Sequence, residues 1–165
     1  GAPPVPEPVQ LFAADDAATS EIGRAIASLL KSGDLVLLEG DLGTGKTALA
    51  RAIIRHLTGQ ADLDVPSPTF LLVLPYSATD STILHADLYR LAREADLEEL
   101  GLFEDVQSIV LVEWPERAPQ LAAQADLIVR LRIPPEAVGR CLQLICPRSP
   151  GRATDFSAAL SAFAA

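Results

Sequence analysis

Residues 40–47 read GDLGTGKT and satisfy the spacing G-x-x-x-x-G-K-[ST]. The physics of that spacing is local. Glycines at 40, 43 and 45 let the chain bend until successive backbone N–H groups converge where phosphate oxygens would sit. A helix starting near Lys46 adds the positive end of its dipole. Lys46 would reach the terminal phosphates of a nucleotide, and Thr47 would offer its hydroxyl to Mg²⁺. The flanks agree. Leu35 to Leu38 is a continuous apolar run, as in a parallel strand covered on both faces. Lys46 to about Leu57 has the spacing of an amphipathic helix, stopped near Gly59. Strand, glycine-rich turn and helix in that order predict a phosphate-binding loop made of Gly40, Asp41, Leu42, Gly43, Thr44, Gly45, Lys46 and Thr47.

Such a loop works with an acid from a neighbouring strand. Ile109 to Val112 is a second unbroken apolar run, and it ends on Glu113, Trp114 and Pro115. A carboxylate closing so apolar a strand needs a partner. Glu113 is expected to hold Mg²⁺, directly or through water, with Trp114-Pro115 fixing the turn. A second strand-end acid, Asp87, follows Thr82 to Ala86. It would order an attacking water, join the outer shell of the metal or cap a turn. Arg90 would touch phosphate or form a surface ion pair. His85 reads as a packed, hydrogen-bonded histidine, His56 as a surface residue and Trp114 as a packing residue. No Cys/His cluster has zinc spacing, and no Gly-x-Ser-x-Gly elbow occurs.

The rest of the chain predicts the frame. Its 165 residues fit one domain, expected over residues 9–165 after a flexible, Pro-rich leader GAPPVPEP at 1–8. Val9 to Ala13 suits an edge strand. Asp15 or Asp16 suits the N-cap of a helix running to about Lys31. Thr69 to Tyr76 and Thr82 to Ala86 suit a hairpin, and Ala95 to Val106 short helical turns. Ala125 to Ile133 and Arg140 to Cys146 alternate like strands, and Asp155 to Ala164 suits a closing helix. These elements predict an α/β, three-layer domain of the P-loop NTPase type with a mixed parallel/antiparallel sheet. The net charge of −9 argues against direct binding to a nucleic-acid backbone. Cys141 and Cys146 would lie roughly 16 Å apart on opposite faces of a strand, too far for a disulfide. They are expected as reduced core thiols. With no membrane span or signal peptide legible, a cytoplasmic location is expected.

Five motifs in order resemble one family: GDLGTGKT at 40–47, SPTF at 67–70, HADLYRL at 85–91, EELG at 98–101 and LVEWPE at 111–116. They are similar to those of TsaE (YjeE), the bacterial P-loop ATPases of tRNA threonylcarbamoyladenosine (t6A) synthesis. The resemblance implies ATP and Mg²⁺ as ligands, with the metal acid on Glu113 and with Thr69 and Asp87 near the γ-phosphate. It implies that Asp15 and Arg140 hold the adenine end. It also implies a TsaB–TsaD complex as protein partner, an indirect association with tRNA and a role in t6A37 modification. An ATPase weak alone and stimulated by that partner follows from the same likeness. An acidic protein that docks on a tRNA-handling complex need not grip the tRNA itself. The segment after Pro147 matches none of these motifs.

The chemistry expected is metal-assisted ATP hydrolysis, with Lys46, Asp87 and Glu113 as the catalytic residues and Thr47 and Glu113 as metal ligands. The alternative is a small P-loop kinase acting on a small-molecule acceptor. A GTP-dependent switch is disfavoured, because the chain has no Asn-Lys-x-Asp motif.

Overall fold

The computed structural model describes residues 7–165. The expected leader over 1–8 lies outside the described residues except for Glu7 and Pro8. Among the described residues seven strands form one sheet: β1 (Val9–Ala13), β2 (Leu35–Glu39), β3 (Val73–Ser77), β4 (Thr82–Asp87), β5 (Ile109–Glu113), β6 (Leu127–Arg132) and β7 (Arg140–Ile145). Their order across the sheet is β1-β7-β6-β2-β5-β4-β3. The four central strands run parallel, and β7, β1 and β3 are joined by antiparallel pairings. The mixed sheet expected of the α/β class is therefore present.

Alternation along the buried strands builds two cores. Val36 and Leu38 of β2, with Ile109 and Leu111 of β5, face α1 (Asp16–Leu29), α2 (Lys46–Thr58) and α3 (Pro150–Ala159). Leu35, Leu37, Val110 and Val112 point the other way. There they meet Leu97, Leu102 and Leu121, which lie on 3₁₀ turns and loops. A strand buried on both faces has no polar side to alternate, which is why β2 and β5 read as unbroken apolar runs.

Helix ends follow local chemistry. Asp15 caps α1 by accepting the Ala18 N–H at 2.8 Å. Gly59 closes α2 with φ 68°, the left-handed geometry that glycine adopts without strain.

Two expectations need correction. Residues 69–72 are turn rather than strand. The Leu72 N–H bonds back to the Pro68 carbonyl at 2.7 Å, and Leu72 itself has φ 66°. Local closure there outweighs the β propensity of Phe70 and Leu71, whose side chains have no core to enter and stay exposed. The C-terminal helix also begins earlier than Asp155, because Pro150 occupies its first turn, where a missing N–H costs nothing. A 3₁₀ turn, Ser161–Phe163, follows.

That last helix is tied to the start of β2. Arg152 forks onto Asp34, with Nη1 to Oδ1 at 2.9 Å and Nη2 to Oδ2 at 2.7 Å, and Nη2 also reaches the Leu29 carbonyl. Asp34 is buried, and its Oδ2 also accepts the Lys31 N–H. The bond to Asp34 holds the Arg152 guanidinium above its ordinary pKa. Of the two cysteines, both free, Cys146 is in the core and Cys141 is half-buried. Burial pushes the Cys146 thiol up to about 11.

Arg152→Ala leaves Asp34 buried without its cation and should cost about 3 kcal/mol of stability, read from the urea midpoint. Disulfide-exchange labelling of the native protein at pH 8 should modify Cys141 and spare Cys146 until the chain unfolds, because a protonated buried thiol is a poor nucleophile. Equal labelling rates would contradict the burial of Cys146.

Candidate nucleotide site

Register brings the motifs together. β2 pairs with β5 so that Leu38 stands opposite Glu113, and β4 pairs with β5 so that Asp87 stands opposite Glu113. The glycine-rich loop leaves the end of β2. Loop and both acids therefore share the carboxyl edge of the parallel strands, where ligands of open α/β sheets bind. A crevice of about 490 Å³ opens there. Its lining includes residues 42–48, Ser67, Thr69, Asp87, Tyr89, Glu113, Trp114, Arg140 and Asp16.

The loop has the predicted backbone. Gly43 and Gly45 have φ 80° and 101°, and Gly45 precedes the first turn of α2. Gly40, at φ 154°, has no room for a side chain: a Cβ would lie 2.6 Å from Thr44 Oγ1 and 2.7 Å from the Leu131 carbonyl. Thr44 is buried and donates its hydroxyl to the Asp41 carbonyl at 2.9 Å. The first amides of α2 have no side-chain cap, so they are open to an anion.

Lys46 is buried at the heart of the site. Its ammonium donates to the Gly40 and Asp41 carbonyls and lies 3.8 Å from the centre of the Trp114 ring. Burial lowers its pKa, and the negative charges of Glu113, Glu116, Asp87 and Asp41 oppose that shift. Trp114 holds this position with φ 58° and packs against Tyr89, ring centres 4.9 Å apart. Glu116, on the 3₁₀ turn Pro115–Arg117, has its pKa raised, mainly by burial.

Glu113 is buried, and both of its oxygens are engaged. Thr47 Oγ1 donates to Oε1 at 2.8 Å, and His85 Nε2 lies 2.6 Å from Oε2. A carboxylate can only accept, so the imidazole carries its proton on Nε2. His85 Nδ1 then has no partner among the described residues. Asp87 is buried beside it. Its Oδ1 accepts the Tyr89 N–H at 2.9 Å and its Oδ2 accepts the Thr69 hydroxyl at 3.1 Å. Ser67 Oγ lies 2.6 Å from Thr69 Oγ1, which links the SPTF turn to the acid. A threonine hydroxyl beside a buried carboxylate is a hard-oxygen pair of the kind Mg²⁺ takes when phosphates and water supply the rest.

Not every expected residue sits in the crevice. Asp15 spends its carboxylate on the α1 cap, and Asp16 lines the crevice instead. Gly40 and Asp41 lie behind it and serve through their carbonyls. Arg140 lines it but bonds to main-chain oxygens. Arg90 forms no ion pair among the described residues. Its guanidinium lies 4.3 Å from the centre of the exposed Phe70 ring.

The contacts of His85 and Trp114 to Glu113 and Lys46 were not legible in the chain. His85 stands two residues before Asp87 on β4 and so shares its face, which was the available signal. Trp114 immediately follows Glu113 but turns back on the loop lysine, with a left-handed backbone of φ 58°.

Comparison with known proteins agrees with this layout. The family described as "Threonylcarbamoyl adenosine biosynthesis protein TsaE" matches residues 13–140. The tRNA threonylcarbamoyladenosine biosynthesis protein TsaE of Rickettsia felis is 37% identical over 139 residues, covering 84% of this chain and 80% of that protein. The protein of the same name from Haemophilus influenzae is 32% identical over 153 residues, covering 88% and 94%. The crystal structure of YdiB from Bacillus subtilis shares the fold, with a TM-score of 0.70, 23% identity and coverage of 94% and 95%. With its glycine-rich loop, strand-end acids and family match in agreement, this chain belongs to the TsaE family of threonylcarbamoyl adenosine biosynthesis proteins.

Proposed function

We propose that residues 9–165 act as one domain that binds and hydrolyses ATP with Mg²⁺ in the crevice, in support of a TsaB–TsaD complex during t6A modification of tRNA. The observation that carries the reading is the Thr47–Glu113 contact at 2.8 Å, made directly beside the glycine-rich loop and the buried Lys46. A hydroxyl and a carboxylate so close, next to unpaired helix amides, suit a metal–triphosphate pair and little else.

The roles follow from the residues. Residues 43–47 supply main-chain donors for the phosphates. The Lys46 ammonium would leave the Gly40 and Asp41 carbonyls for phosphate oxygens, with the Trp114 face beneath it. Thr47 and Glu113 would hold Mg²⁺, which when bound neutralises charge on the phosphates. Asp87 is fixed by the Tyr89 amide and the Thr69 hydroxyl, and from there it would orient the attacking water. His85 holds Glu113 in place from below. Asp16 would approach the adenosine end of the ligand, with the Asp15 cap holding the start of α1.

Dependence on a partner has its own support. Leu42, Phe70 and Leu71 are 72%, 79% and 70% exposed. Leu42 lines the crevice, and the turn holding Phe70 and Leu71 is bonded to Asp87 through Thr69. A protein covering this rim would order the turn and the 85–91 segment together. Among the described residues the arginine lining the crevice is Arg140, whose donors go to main-chain oxygens, so transition-state charge stabilisation would rise on assembly.

Lys46→Ala should weaken ATP binding by about a hundredfold, the scale of a buried charge-assisted contact near 3 kcal/mol, measured by calorimetry. Unchanged affinity would remove the loop from the account. Glu113→Gln keeps the shape and loses the charge. Its ATP affinity should become nearly independent of added Mg²⁺, and a wild-type Mg²⁺ titration would exclude Glu113 as a ligand. Hydrolysis by the wild-type protein should release phosphate to water and accelerate when TsaB–TsaD is added. Transfer of labelled phosphate to a small acceptor would favour the kinase alternative.

A further inference from the structure

Arg140 opens β7 at the edge of the sheet from which the phosphate loop rises. Its position is tightly determined. The pairing Ala13↔Arg140 ties its backbone to β1. Gly139 before it has φ 77°, and a Cβ there would fall 2.6 Å from the Ala13 carbonyl and 2.6 Å from the Phe12 ring. From this base the guanidinium spends its donors on main-chain oxygens: Nε on Thr44 at 3.2 Å, Nη2 on Gly43 at 3.2 Å and Nη1 on Gly139 at 2.6 Å. Among the described residues it pairs with no carboxylate.

We infer that Arg140 is a positioning residue which orients the 43–44 and 44–45 peptides of the phosphate loop, and so supports binding of a triphosphate whatever base it carries. In a trans peptide the carbonyl and the N–H point in opposite directions. Holding the Thr44 carbonyl therefore turns the Gly45 N–H away from Arg140, and holding the Gly43 carbonyl does the same for the Thr44 N–H. The Thr44 N–H goes to the Asp41 carbonyl at 3.3 Å and closes the loop on itself. The Gly45 N–H stays available at the mouth of α2. Glycines at 43 and 45 make these peptides easy to flip, since no Cβ opposes it. A flip would present a carbonyl dipole to the phosphates in place of an amide. The guanidinium fork prevents it by gripping two successive carbonyls at once, which the single ammonium of a lysine cannot do with the same geometry. This role is distinct from the adenine contact implied for Arg140 by family likeness. It rests on the reading of the loop as a phosphate site.

The experiment uses Arg140→Lys and Arg140→Gln in the full chain. The lysine variant keeps charge and stem, and exchange at β2 amides reports whether either variant is globally destabilised. Amide hydrogen exchange of the ligand-free protein should quicken at residues 42–46 in both variants and stay unchanged in β2. Calorimetric affinity for ATP, GTP and inorganic tripolyphosphate should fall by the same factor for each ligand the wild type binds, roughly tenfold, as expected for loss of a charge-assisted contact. A loss confined to ATP would overturn the assignment in favour of a base contact. Unaltered exchange at 42–46 would overturn it as well. Failure of the wild type to bind any of the three would refute the nucleotide reading, while the exchange measurement would still judge Arg140.

Discussion

Glu113 is a carboxylate inside the protein, at the end of a strand buried on both sides. Left unpaired, a charge there would be expelled or neutralised. It stays because His85 donates to one oxygen and Thr47 to the other. Each donor belongs to a different element, β4 and the start of α2, so the two bonds also lock β4, β5 and the phosphate loop to one another. The parallel pairing of β2 and β5 makes this possible, since it delivers the loop and the acid to the same edge. If β5 slipped by one residue the carboxylate would face the opposite core, and the arrangement would fail as a unit.

The charge balance around Lys46 shows how the same edge is tuned. Burial works against the ammonium, while four nearby acids and the face of Trp114 work for it. With its carbonyl partners Gly40 and Asp41, the lysine is held at the loop in a ready position. It has less water to shed when phosphate arrives than an exposed lysine would. Nucleotide charge would meet a few buried groups rather than a basic surface, so an anionic ligand is compatible with a chain of net charge −9.

Much of this was legible in the residues because it is governed by local rules. Unbroken apolar runs marked β2 and β5, glycine spacing marked the loop, and Asp15 or Asp16 marked the start of α1. The turn at 69–72 was not legible. Phe70 and Leu71 carry a strand-like pattern, and only the missing core above them explains why they turn outward. The segment after Pro147 carried no motif, yet Arg152 uses it to hold Asp34 and so steadies the entry to β2. His85 looked like a packed histidine, and it is one. What could not be read was that the group it packs against is Glu113.

Composition and spacing therefore pointed to the fold class, the glycine-rich loop with its strand-end acids, and the family in which these occur together. They did so because 3.6-residue and two-residue periods, glycine backbone freedom and capping act over a few neighbouring residues. Strand order and register decided which groups meet. Thr47 and Glu113 are 66 positions apart in the chain, and Arg140 is 96 from the carbonyl it grips. Such contacts depend on how strands line up in the sheet, and that is fixed by burial of the two cores together, which no short stretch encodes.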